Sequence, residues 1–101
     1  MTASAGWLER RTARAPAALR ERVGELAGHV RVSPDLPAAL AATARDALER
    51  VVTHPGDRSV ALDLLSADAL ITLALLAQAE RAPNDLGAFA ASVLQAVRPG
   101  A

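Results

Sequence analysis

Residues 68–80 read DALITLALLAQAE, with eleven uncharged residues between Asp68 and Glu80. A helix of eleven residues is about 16 Å long, whereas the hydrocarbon layer of a membrane is about 30 Å thick. Extending the segment soon meets charge, at Asp63 before it and at Arg81 after it. Because an ionised side chain in lipid costs several kcal/mol, the pattern predicts no membrane span. It favours a helix in a protein core or at a protein interface.

The composition of the chain predicts an all-α fold. Its 101 residues suit one domain, and 51% of them are hydrophobic but only 2% are aromatic. Alanine and leucine dominate the apolar set and favour helices, whereas strands favour β-branched and aromatic side chains. We therefore expect residues 1–101 to form a single helical-bundle domain, with residues 1–15 as a candidate for a loosely docked N-terminal arm.

Prolines, glycines and capping residues divide the chain into helical segments. The turns are predicted at HVRVSPDLP (29–37), HPGD (54–57, with Asp57 as a cap) and APND (82–85). The predicted helices cover residues 5–13, 16–28, 36–53 and 58–81, and a last helix ends near Val97. A break of the 58–81 helix near Ser66 stays open, although nothing in the sequence forces it. The prediction is an all-α, single-domain bundle of four to five helices with the 58–81 helix central.

The central helix has apolar side chains on two sides. At 3.6 residues per turn, one arc is formed by Leu62, Leu65, Ala69, Leu73 and Leu76. A second arc, about 140° away, is formed by Leu64, Ile71 and Leu75, with Leu70 outside both. The other helices each show one apolar stripe, so they can cover one arc more readily than two. We expect the surface left over to be the candidate interface with a second copy or a partner protein, formed by Leu64, Leu70, Ile71 and Leu75.

The N-terminal segment is basic. Residues 1–22 contain five arginines and two glutamates, a charge of +3, and the rest of the chain has a charge of −3. Arg10, Arg11 and Arg14 are candidate contacts with an anion or a partner, although the same charges can pair with the chain's own acidic groups. The short first helix has little besides Trp7 to anchor it, so we expect the Trp7 ring to dock on the bundle.

The sequence offers no constellation of catalytic or metal-binding residues. It has no cysteine, and its two histidines, His29 and His54, lie on separate segments without a second ligand at helical spacing. Neither a nucleophile elbow nor a glycine-rich phosphate loop is present. Asp68 is the one carboxylate that could be half-buried between the leucine arcs, although a helix edge or a cap is the commoner position. We predict no catalytic residue, no cofactor, no metal and no enzymatic activity.

Three classes of function fit these patterns. The favoured one is a small non-catalytic protein–protein interaction module, either a homo-oligomer or an accessory subunit of a larger assembly. The alternatives are a small DNA-binding regulator that uses the arginine-rich N-terminal segment, and a helical-bundle carrier of a small apolar ligand. Zero net charge and an acidic body make nucleic acid a poor match.

The origin and compartment of the protein can also be predicted. All eleven cationic side chains are arginine, and together with the many alanines, glycines and prolines this is typical of a GC-rich, bacterial genome. The first residues show no apolar core of a signal peptide. We therefore expect a bacterial protein of the cytoplasm.

Overall fold

The computed structural model describes residues 3–28, 30, 33–54, 56 and 58–97. Within these ranges the chain forms five α-helices: α1 (Ala3–Thr12), α2 (Ala17–Leu26), α3 (Leu36–Thr53), α4 (Arg58–Arg81) and α5 (Leu86–Val97). A short 3-10 turn, Pro83–Asp85, precedes α5, and the described residues contain no strand. The predicted all-α bundle is confirmed, and α4 continues through Ser66 without a break.

Proline, aspartate and glycine set the limits of α3. Pro37 lies in its first turn, where a missing backbone N–H breaks no helical hydrogen bond. Asp35 caps the same end, because its carboxylate accepts a hydrogen bond from the Ala38 N–H at 3.3 Å. Beyond the other end, Gly56 has a φ of 106°, a backbone conformation that favours glycine. Asp57, the expected cap of α4, lies outside the described residues.

Helices α3 and α4 make the most extensive contact between helices and pack together at the centre of the bundle. Their buried faces consist mainly of small side chains, which include Ala44, Ala47, Ser66, Ala67 and Ala74. Small side chains at a contact allow two helix axes to approach closely. The Ser66 hydroxyl donates a hydrogen bond to the Leu62 carbonyl at 2.8 Å, so its burial leaves no unpaired donor. Leu40 and Leu70 are the largest side chains that are completely buried between the helices.

The buried face of α4 is neither of the two leucine arcs. It lies between them, shares only Leu73 with the first arc, and consists of Asp63, Ser66, Ala67, Leu70, Leu73, Ala74 and Ala77. Leu70 is 0% exposed and therefore belongs to the core, contrary to its expected place at an interface. The hydrophobic pattern of the sequence does not distinguish small apolar side chains from large ones. The face that meets α3 is instead favoured by small side-chain volume, and the larger leucines lie on its flanks.

The remaining helices cover the flanks of the α3–α4 pair. Val23 of α2 and Leu8 of α1 belong to the same buried cluster as the core of α4. Helix α5 contacts both α3 and α4, with Phe89 partly buried against the core. Val30, between α2 and α3, is completely buried and ties the connecting segment to the core. The 58–81 helix is central, as predicted, and α3 shares that position.

Helix α4 is long and apolar enough to cross a membrane by length and composition alone, and it is the one such helix among the described residues. Seven of its residues, including Asp63 and Leu70, are buried inside the bundle. A core helix with neighbours on several sides is apolar on several sides, so it passes the same test as a spanning helix. The packing of α4 against its neighbours buries 39% of its most apolar 18 residues, and the absence of a membrane span stays a prediction.

The close approach of α3 and α4 can be tested by placing a larger side chain at their contact. Ala67→Leu should lower the free energy of unfolding by about 1–3 kcal/mol, because a completely buried position has no room for three more carbons. Ala61→Leu is the matched control, since Ala61 is exposed on the same helix and should tolerate the same change. Denaturant unfolding measures both variants. Equal stability of the two would contradict tight packing at this contact.

Candidate interaction surfaces

Helix α1 is fastened to the C-terminal part of α4 by a cluster of three side chains. The indole Nε1 of Trp7 donates a hydrogen bond to Oε1 of Glu80 at 2.9 Å. Arg11 donates to the other oxygen of the same carboxylate, and its guanidinium lies 5.7 Å from the centre of the Trp7 ring. Trp7 also packs against the hydrophobic core. The predicted docking of Trp7 on the bundle is confirmed, and its polar partner is a residue that the sequence pattern did not single out.

These contacts favour the ionised form of Glu80. The hydrogen bond from Trp7 is the largest cause of a lowered pKa for the Glu80 carboxyl, and partial desolvation opposes it. The positive charge of Arg11 and its hydrogen bond lower the pKa further, and Arg10 adds a smaller electrostatic contribution. Of the three candidate contact arginines, Arg11 is therefore engaged within the chain, while Arg10 and Arg14 are exposed.

A second ion pair joins α2 to α4. Nε of Arg22 donates a hydrogen bond to Oδ1 of Asp63 at 2.6 Å. This bond is the main reason that the pKa of Arg22 is raised, against the effect of burial. Asp63 is only 8% exposed, whereas Asp68 is exposed, at the helix-edge position that the sequence favoured over half-burial. The basic N-terminal segment thus pairs with the acidic body of its own chain, one of the two alternatives that the charge asymmetry left open.

Helix α4 exposes leucines on both flanks of its buried face. Leu64 is 50% exposed and Leu65 is 56% exposed, although the two are neighbours in sequence and point to different sides. Among the other candidate interface residues, Ile71 and Leu75 are partly buried, and Ile71 packs against the core. Only Leu64 of that set is an exposed side chain. The arc expected to pack within the chain is the one that leaves more leucine surface open.

Four residues on one face of α4 form a surface that is apolar except for one hydroxyl, which we name the α4 stripe: Leu65, Ala69, Thr72 and Leu76. Their spacings of four, three and four residues place them on one face of the helix. Leu65 and Thr72 are exposed, Leu76 is 39% exposed and Ala69 is partly exposed. The Thr72 hydroxyl donates to the Asp68 carbonyl at 3.1 Å, so the one polar group of the stripe is hydrogen-bonded within the helix.

A groove of about 200 Å³ runs between the α4 stripe and α2. Leu19 and Val23 form its apolar wall on the α2 side. Arg11 and Arg20 line the same groove, and Arg20 donates a hydrogen bond to the Ala13 carbonyl at 3.2 Å. The groove therefore extends the apolar stripe sideways and gives it a basic margin.

Helix α5 forms a second apolar surface. Its twelve residues include no charged side chain, yet only Val93 is buried and Leu94 is 66% exposed. A shallow groove of about 220 Å³ separates α5 from α3, with Phe89 and several alanines on its walls and Arg45 as its charged residue. Two helices of the bundle thus show apolar side chains that the described residues leave uncovered.

The described residues contain no group of three histidine, cysteine, aspartate or glutamate side chains that could hold a metal ion. His54 lies at the C-terminal end of α3, where its Nδ1 is 2.9 Å from Oγ1 of Thr53. A histidine at this end of a helix interacts favourably with the helix dipole, and His29 lies outside the described residues. Comparison with protein-family models, curated protein sequences and solved structures finds no match to this chain.

The cluster around Glu80 predicts a pH-dependent contact of α1. Because the folded-state pKa of Glu80 is lowered, its contribution to α1 docking is complete above the pKa of an ordinary glutamate, about 4.3. That contribution is lost as the pH falls through the lowered value. Acidification should therefore shift the emission of Trp7, the one tryptophan, to longer wavelength. Glu80→Gln should lack this acid transition, and an unchanged transition in that variant would contradict the assignment.

Proposed function

We propose that the protein is a non-catalytic protein–protein interaction module, either a homo-oligomer or an accessory subunit of a larger assembly. The observation that supports this proposal most directly is the α4 stripe. Single exposed leucines are normal on protein surfaces, whereas Leu65 and Leu76 lie on one helix face with Ala69 and Thr72 between them and so form a continuous patch, the kind of surface that contact sites use. The stripe lies beside an open apolar groove, which enlarges the surface available to a partner.

The amount of apolar surface that the stripe can bury limits how stable a complex it can form by itself. Leu65 is 56% exposed and Leu76 is 39% exposed, together about one fully exposed leucine, so burying both contributes about 1.5–3 kcal/mol. Association costs more than this through lost translational and rotational freedom. The stripe can therefore act only as the centre of a larger contact that includes the adjoining groove. The proposal is a reversible complex in which this stripe supplies the apolar centre.

The two alternative functions have less support. A DNA-binding regulator needs free cationic side chains, yet Arg11 pairs with Glu80, Arg22 pairs with Asp63 and Arg20 binds a backbone carbonyl. Two exposed arginines of the same segment, Arg10 and Arg14, are few for the phosphate contacts that DNA binding requires. A carrier needs a pocket of about 300–1,000 Å³ that encloses its ligand. The grooves beside α4 and α5 are open and smaller, at about 200 and 220 Å³. The cytoplasmic location and the bacterial origin stay predictions, since no contact described above depends on either.

An interaction test compares charge insertion at two leucines of α4 with a control. Leu65→Glu should abolish the complex formed by the wild type, because it places a carboxylate on the stripe. Leu64→Glu tests the opposite flank, and Ala18→Glu adds the same charge at an exposed position outside the groove. Light scattering over a concentration series and pull-downs with purified bait report the complexes, and circular dichroism confirms that each variant is folded.

The expected result is a complex of the wild type, with itself or with another protein, that Leu65→Glu loses and Ala18→Glu keeps. Loss with Leu64→Glu alone would move the contact to the other flank of α4 and leave the function standing. A wild type that is monomeric throughout and binds no protein that either leucine variant loses would overturn the proposal.

A further inference from the structure

We infer that the partner of the α4 stripe is a second copy of this chain, whose α4 lies antiparallel to the first across a two-fold axis. This inference rests on the proposed interaction function and names its occupant. A two-fold contact requires a surface that is complementary to itself. If one residue of the first copy contacts a given residue of the second, the same two residues also meet with the copies exchanged. The stripe meets that requirement in its order of side chains, in its shape and in its end charges.

The order of side chains in the stripe is the same in both directions. From Leu65 to Leu76 it reads large, small, small, large, with spacings of four, three and four residues. We place the two-fold axis at the level of α4 that lies halfway between residues 70 and 71. In that antiparallel pair, Leu65 of one copy meets Leu76 of the other. Ala69 meets Thr72 in the same way. Every position of the stripe thus finds an apolar or small counterpart.

The shape of the stripe suits the approach of a second helix. Ala69 and Thr72 at its middle are short side chains, so the helix axes can come close where the two copies cross. Thr72 can be buried there without an unpaired donor, since its hydroxyl already binds the Asp68 carbonyl. The leucines at both ends then pack beside the crossing point.

Charges at the two ends of the stripe specify the direction of the second copy. Arg58 lies at the N-terminal end of α4 on the face of the stripe, and Glu80 lies near the C-terminal end close to that face. Antiparallel pairing brings Arg58 of each copy towards Glu80 of the other, whereas parallel pairing brings Arg58 towards Arg58. Glu80 already binds Trp7 and Arg11, but a carboxylate has about four acceptor positions. The formal net charge of zero adds no repulsion between copies.

The absence of cysteine from the sequence allows a direct test of this geometry. Leu65→Cys and Leu76→Cys are purified separately, mixed in a glutathione redox buffer and followed by mass spectrometry of the disulfide-linked products. A disulfide needs Cα atoms about 4.4–6.8 Å apart. In the antiparallel pair positions 65 and 76 of opposite copies are adjacent, whereas the two positions 65 are about 16 Å apart along the helices.

The mixed 65–76 disulfide should form about tenfold or more faster than either homotypic disulfide, because pairing raises the effective concentration of the two thiols. Leu64→Cys mixed with Leu76→Cys is the matched control, since Leu64 has nearly the same exposure as Leu65 but lies on the other flank. Light scattering of the wild type should rise from 10.4 kDa towards twice that mass as concentration increases.

Two results would overturn the inference. Homotypic disulfides that form faster than the mixed one would show a parallel pair, and homotypic disulfides that form at the same rate would show a random encounter. A wild type that stays at 10.4 kDa up to millimolar concentration would exclude the second copy. If the wild type is monomeric but binds another protein that Leu65→Glu no longer binds, the interaction function stands and only the second copy is excluded. If no such protein is found, both proposals fail.

Discussion

The contact between α3 and α4 is the constraint on which the rest of the structure depends. Alanine and serine side chains line this contact, so the two helices lie close together and the buried face of α4 is narrow. A narrow buried face leaves the leucines of α4 on its two flanks. The apolar side chains on each flank are then buried only where another helix packs against them, and α1, α2 and α5 occupy these positions.

The cover is unequal on the two sides. Helix α5 carries no charged residue and packs against α3 and α4, and on one flank of α4 Ile71 and Leu75 are partly buried. On the other flank, α1 and α2 place Leu8 and Val23 in the core and make polar contacts with α4, namely Arg22 with Asp63 and Trp7 and Arg11 with Glu80. These contacts leave an open groove between α2 and α4. The α4 stripe therefore stays exposed beside this groove, and the two together form the proposed interaction surface.

The sequence predicted the secondary structure well, because its signals are local. Prolines, glycines and capping residues mark the helix ends, and the expected 36–53 and 58–81 helices have the limits of α3 and α4. It predicted the docking of Trp7 for a similar reason, since one large apolar side chain dominates a short helix. What it could not predict was which face of α4 is buried, because that choice depends on how closely α3 approaches.

Polar contacts between distant segments were also beyond the sequence. Nothing in its local pattern pairs Arg22 with Asp63 or Trp7 with Glu80, because residues far apart in the chain meet only in the fold. One signal was available for Asp63. Its helical position falls between the two leucine arcs, on the face that proved to be buried. Nor could the sequence predict that Nε and Nη2 of Arg50 are buried without a hydrogen-bond acceptor among the described residues.

Native-state hydrogen exchange tests the central role of the α3–α4 contact most directly, because it reports the free energy of opening at each backbone amide. The slowest amides should lie in the middle of α3 and α4, around Ala44 and Leu70, and should exchange only by global unfolding. Amides of α1 and α5 should exchange faster, through local opening that leaves the central pair intact. Equal protection of α1 or α5 and the central pair, or faster exchange in α3 than in the outer helices, would contradict this account.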